Sequence, residues 1–197
     1  MSKSNPELTD ALDYARRVFD KVLDWYKNAD SKAQIILTLD GIFLTFLTSS
    51  VLRNPNEISS VISRFKFDTW LFLALMCLCL VGSIVSALMC LWSRVFLHAQ
   101  QDSVLIRAKE ELKTSERYSP NVMLFFKTIS WLDHDEFQEQ LGTVDKEFEI
   151  KALASQISLL SKRVYRKHLL INCGFVLAGA SLIFFLAVGI SYLARFK

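Results

Sequence analysis

Few residues in this chain are placed to carry reaction chemistry. His98, His134 and His168 are spread along the sequence, with no Gly-rich phosphate loop, nucleophile elbow or paired metal-binding histidines beside them. His134 lies between Asp133 and Asp135, but next-door neighbours on one helical turn do not converge on a metal, and a helix-capping loop accounts for the trio. Cys77, Cys79, Cys90 and Cys173 all lie inside apolar runs without CxxC spacing, so they read as small packing residues. The expectation is no enzyme, no metal site and no cofactor.

Binding chemistry is better supplied. Phe125, Phe126 and Trp131 offer rings for base stacking, and Arg107, Lys109 and Lys127 offer cations for a phosphate. The alternative is that these aromatics form the small core of their own segment. A second set lies at the edge of, and within, an apolar stretch. On a helical wheel Gln34, Thr38, Gly41, Thr45 and Thr48 fall within about 40° of one line. Such a stripe serves as a pore-lining face or as a contact where membrane helices approach closely. Asp40 lies roughly 120° from that line. A carboxylate there needs a partner, water or a proton. Asn172 or a hydroxyl, a hydrated vestibule, or headgroup water reached from a shallow depth would each serve.

The elements that position these groups follow from composition. The chain has 197 residues, 52% of them hydrophobic, and only 6 Gly and 3 Pro, which favours helix over disorder. Its 23 basic and 20 acidic residues leave a net charge of +3, too balanced for the basic stripe of a nucleic-acid binder. Stretches 33–52, 70–92 and 169–193 are long and apolar enough to cross a hydrocarbon core, which takes about 20 helical residues. The second carries Trp70 and Trp92 at its ends, as interfacial anchors do, and Trp25 and Tyr26 precede the first. The region before the first span is evenly charged, without the short basic head and early apolar core of a signal peptide, so the N-terminus is expected to be retained.

With the N-terminus inside, the inner flanks hold Lys21, Lys27, Lys32, Arg94, Arg107, Lys162, Arg163, Arg166 and Lys167. The outer flanks hold Arg53, Arg64, Lys66, Arg195 and Lys197, so the balance favours a cytoplasmic N-terminus. Leu8, Ala11, Ala15, Val18, Val22, Trp25 and Ala29 form a helical stripe that runs without a breaker into the first span. Leu97, Val104, Leu105, Ala108 and Leu112 extend the second span, and Ile150, Leu153, Ile157, Leu160 and Val164 lead into the third. Between them Ser119-Pro120 breaks the chain, 121–132 reads as a short strand or extended loop, and Asp133 with Glu136 opens a short helix as a capping box.

The expected fold is an all-α integral membrane protein. Three transmembrane helices, two or more of them extended, enter a cytoplasmic helical bundle with a short extended insert. Its parts are a cytoplasmic amphipathic helix (1–32), a first span (33–52), an extracytoplasmic loop (53–69) and a second span (70–92). A cytoplasmic sensing region (93–168, with its insert at 114–144), a third span (169–193) and a short outer tail (194–197) complete it. Small-residue faces recur on the second span at Cys79, Ser83, Ser86 and Cys90, and on the third at Gly174, Ala178 and Ser181. They predict a packed bundle, within one chain or between copies.

The stretch "NADSKAQIILTLDGIFLTFL" resembles the A-D-x-K-A junction that opens the first span of the Pycsar transmembrane effectors, here Ala29, Asp30, Lys32 and Ala33. The later stretch from Leu124 to Gly179 is also similar. It has an aromatic pair before a small insert helix, an x-E-F acidic turn, an A-x-Q-I-x-x-L-S helix from Ala154 to Ser161, and a basic R-K entry at Arg166 and Lys167. Two departures stand out: Asp40 where a neutral residue is expected, and "SRVFLHAQQ" without the expected proline.

The resemblance implies a bacterial anti-phage membrane effector. A partner pyrimidine cyclase makes cCMP or cUMP on infection, and the effector senses it and impairs the inner membrane, stopping phage propagation. The expected partners are therefore the cyclic mononucleotide, the bilayer and further copies of the chain, with no nucleic acid. Asp30 and Lys32 become candidates at the membrane junction, with Gln34, Thr38 and Asp40 beside them. The competing expectations are a constitutive scaffold docking a partner protein, and a small ion channel using Asp40.

Overall fold

The computed structural model describes residues 6–53, 65–92, 123 and 129–194, and its elements are all helices. They are α1 (Pro6–Arg53), α2 (Phe67–Leu91), α3 (His134–Gly142) and α4 (Lys146–Leu193). No strand occurs among the described residues. Residues 93–122, which hold the extension of the second span, residues 124–128 of the insert, the 54–64 loop and the last three residues lie outside them.

Helix lengths follow from where breakers occur. Pro6 stands at the first position of α1, where its missing N–H costs nothing, and no proline follows until after Arg53. Asp133 caps α3 by accepting from the Asp135 N–H at 3.0 Å, which realises the predicted helix start. Thr143 ends α3 with its hydroxyl on the Gln140 carbonyl at 2.8 Å. Asp145 then accepts from the Phe148 N–H at 2.7 Å and opens α4. At 48 residues each, α1 and α4 run about 72 Å, more than twice a hydrocarbon core of about 30 Å.

The chain divides into two compact units. Residues 1–26 and 93–164 form one, residues 27–92 and 165–197 the other, and α1 and α4 contribute to both.

In the first unit Leu12 and Val22 of α1 and Ala152 and Val164 of α4 are buried. Ile150, Leu153, Ile157 and Leu160 are half-buried, as their periodicity predicts. The α1 stripe is corrected at two places: Ala11 and Trp25 are exposed, while Leu12, beside the stripe, is buried. Met123 is buried against Leu132, Phe137 and Phe148, a small satellite core. Arg16 binds Glu149 at 2.6 Å, Lys146 donates to Thr9 at 2.8 Å, and Lys151 pairs with Glu147 at 2.8 Å. Its hydrogen bond to Glu147 pushes the Lys151 ammonium above its ordinary pKa. Such exposed pairs fix register more than they stabilise.

The second unit is inside-out relative to a water-soluble domain. Its buried polar residues are Asp40, Thr69, Ser83, Ser86 and Ser181, while Ile42, Leu78, Val81, Val176, Ile183, Leu186 and Ile190 are exposed. Helices in lipid gain nothing by hiding apolar side chains from each other, so small and hydroxyl residues take the contacts and large apolar ones face outward. Three helices, α1, α2 and α4, are long and apolar enough to cross a membrane. Residues 33–52 lie within α1, 70–91 within α2 and 169–193 within α4.

Candidate functional site

The α1 face that packs in the second unit is written at helical spacing by Ala29, Ala33, Ile36 and Asp40. The first three join Ala87, Cys90 and Ile171 in one cluster. Alanines at two of these positions let the helices approach closely, and Gly174 shows how closely. A Cβ added there would stand 3.2 Å from Ile36 Cδ1 and 3.7 Å from Ser86 Cβ.

Polar braces flank this cluster at both ends. At one end Asp30 of α1 pairs with Lys167 of α4, the lysine side chain being 13% exposed and the carboxylate 31%. At the other, Ser83 of α2 donates to Asp40 Oδ2 at 2.6 Å, and its oxygen lies 3.1 Å from the Gly174 carbonyl of α4. One hydroxyl thus touches all three long helices. One turn along α2, Ser86 donates to the Leu170 carbonyl at 2.6 Å. Thr69 and Ser191 meet at 2.9 Å near the far end, where Phe65 lies edge-on to Trp70. No buried side-chain nitrogen or oxygen among the described residues is left without a hydrogen bond.

Beside Asp40 the surface of this unit opens into a groove of about 540 Å³ between α1 and α4. Phe43, Phe46, Phe175 and Leu182 line it together with the buried Asp40 and Ser181.

These positions sort the sequence candidates. Asp40 is 3% exposed and bonded to a hydroxyl, so it neither reaches headgroup water nor pairs with Asn172, which is exposed. The Gln34, Thr38, Gly41, Thr45 and Thr48 stripe is exposed throughout, so it is not buried in a helix–helix contact among the described residues. Its threonines bond their own helix instead, Thr38 to the Gln34 carbonyl at 2.9 Å and Thr45 to that of Gly41 at 2.8 Å. The small faces of the other two spans pack inside: Ser83, Ser86, Cys90, Gly174 and Ser181 are buried. Lys32 is half-buried.

Of the ligand candidates, Trp131 is 44% exposed in the turn before α3. Arg107, Lys109, Phe125, Phe126 and Lys127 lie outside the described residues. No group of histidine, cysteine and carboxylate side chains among the described residues could hold a metal ion. Sequence reasoning missed Ser83 as the partner of Asp40 and Lys167 as that of Asp30. The available sign was register, because Asp40 continues the Ala29, Ala33, Ile36 series.

Comparison with known proteins adds a family. The family described as Pycsar effector protein domain matches residues 14–194. Curated proteins and solved structures gave no match. The family is one of effectors and not a known catalytic one. Its match takes in α1 from Tyr14 onward and all of α2, α3 and α4: the chain belongs to the Pycsar effector family.

Proposed function

We propose that this chain senses a cyclic pyrimidine mononucleotide, cCMP or cUMP, in the cytoplasm and responds by impairing the bacterial inner membrane. Family membership supports the coarser part, a membrane effector of anti-phage defence that answers a cyclic-nucleotide signal from a partner cyclase. The observation that carries the finer part is that α1 and α4 each contribute to both units without a break. A ligand that favours one arrangement of the water-exposed helices therefore acts on helices that also build the membrane unit. The work must come from ligand affinity that differs between the two arrangements.

In this reading the first unit faces the cytoplasm, in line with the Lys and Arg excess on the inner flanks. Arg107, Lys109 and Lys127 hold the phosphate, Phe125, Phe126 and Trp131 stack on the base, and copies of the chain assemble in the bilayer. The exposed Gln34–Thr48 stripe supports that assembly, since it stays uncovered among the described residues.

Membrane potential in cells expressing the protein tests the proposal. Addition or synthesis of cCMP or cUMP depolarises them, and adenine nucleotides do not. Folded protein with no depolarisation under any cyclic nucleotide overturns it. A scaffold, in contrast, shows no selective thermal shift across a nucleotide panel.

A further inference from the structure

We infer that the Asp40–Ser83–Gly174 contact is a latch that holds the three spans in their non-leaking arrangement. The inference rests on the reading of the chain as a gated membrane effector, and adds the element that keeps it shut. Three observations carry it.

First, the contact joins all three long helices through one side chain. Ser83, fully buried, reaches Asp40 Oδ2 of α1 at 2.6 Å and the Gly174 carbonyl of α4 at 3.1 Å. Second, it sits where the helices pack with little clearance. Gly174 has no room for a Cβ without Ile36 yielding, and at Gly82 a Cβ would stand 3.0 Å from Leu177 Cδ1. Third, it lies deep. Counted from residues 33, 92 and 169, the three groups are roughly 8–14 Å inside the span ends at helical rise.

A carboxyl group at that depth is costly unless it is partnered. The packed arrangement partners it, and any arrangement that separates α1 from α2 does not. Asp40 thus turns a weak preference between two packings into a marked one, and it does so without lining a pore. The groove beside it is lined by Asp40 and by the aromatic residues Phe43, Phe46 and Phe175, so it offers the carboxyl no second charged partner.

The test uses the full chain, purified and reconstituted in phospholipid vesicles loaded with a fluorescent dye, first without nucleotide and then with cCMP or cUMP. Ser83→Ala and, from the other side, Asp40→Ala each raise nucleotide-free leak about 3- to 15-fold, the range expected for one interhelical hydrogen bond in a membrane. Asp40→Asn, whose amide still reaches Ser83, falls between the parent and Ser83→Ala and still responds to nucleotide. Circular dichroism establishes that each variant is helical, and Asp40→Ala decides the matter if Ser83→Ala does not fold.

If the parent ignores both nucleotides while Ser83→Ala leaks, the latch stands and the nucleotide reading fails. If the parent responds to nucleotide while the folded alanine variants are as tight as the parent without it, the latch is overturned and the nucleotide reading stands. Alanine variants no leakier than a silent parent overturn the latch as well. Loss of the triggered leak in Asp40→Asn also overturns it, because it would make the carboxylate itself the conducting group.

Discussion

Lys167 of α4 and Asp30 of α1 form an ion pair across two helices, with the lysine more deeply covered than the carboxylate. Asp30 follows Ala29 directly and stands three residues before Ala33, so a charge contact lies beside the first apolar members of the packed α1 face. Partial burial makes such a pair worth more than an exposed one, and costly to break from one side.

Asp30→Asn or Lys167→Met is therefore expected to destabilise the detergent-purified protein by about 1–2 kcal/mol. The double variant should recover part of the loss. A thermal-unfolding double-mutant cycle gives the coupling directly, and additive losses would show that the two charges act independently.

Gly174→Ala places a methyl group against Ile36, and Gly174→Leu cannot fit without moving a helix. Overpacking of this kind costs about 1–3 kcal/mol. Ile36→Val removes the Cδ1 atom in question and should relieve Gly174→Ala. Midpoints of thermal unfolding for the single and double variants check this.

Thr38→Val and Thr45→Val should leave the stability of one chain within about 0.5 kcal/mol, since each hydroxyl bonds only its own helix. If the stripe meets a second copy in the bilayer, the same variants weaken assembly without weakening the fold. Cross-linking yield beside unfolding midpoint separates these outcomes.

Asp133→Ala removes the cap of α3 and is expected to cost about 1 kcal/mol. The loss should appear as faster amide exchange in 134–142, with α2 unaffected. Uniform exchange across the whole chain would mean that α3 does not open on its own.

Trp131→Ala tests the ligand site. It should reduce the thermal shift given by cCMP or cUMP and leave the ligand-free midpoint nearly unchanged, because the ring is 44% exposed. A shift equal to that of the parent would remove Trp131 from the site.

The sequence made the helices legible because length and apolarity decide them, and no proline interrupts α1 or α4 after their starts. Asp133 was legible as a cap because its effect is local. The packing of the spans was less so. In lipid, polarity does not tell a buried face from an exposed one, since a threonine can satisfy its hydroxyl on its own helix. Thr38, Thr45 and Thr48 do this, and so a polar stripe that suggested a buried contact stays exposed among the described residues. Asp40 looked like an intruder when compared with that stripe. Compared with Ala29, Ala33 and Ile36 it keeps the register, and only the partner on α2 was hidden, 43 residues away in sequence. The nucleotide candidates come from composition in a segment whose pairing no periodic pattern fixes.

The inside-out packing of the membrane unit separates two kinds of information along the same helices. Its largest fully buried side chains are Ile36, Ile171, Thr69, Cys90, Ser83 and Ser181, so the instructions for how the helices fit are held by small and medium residues. Solvent preference is held by others, among them Ile42, Val81, Val176 and Leu186. Exchanging only that outer set for glutamate, lysine and glutamine would transfer the three-helix unit from lipid to water with its interior unaltered. The fold and the solvent it lives in are encoded at different positions, and each can be rewritten without the other.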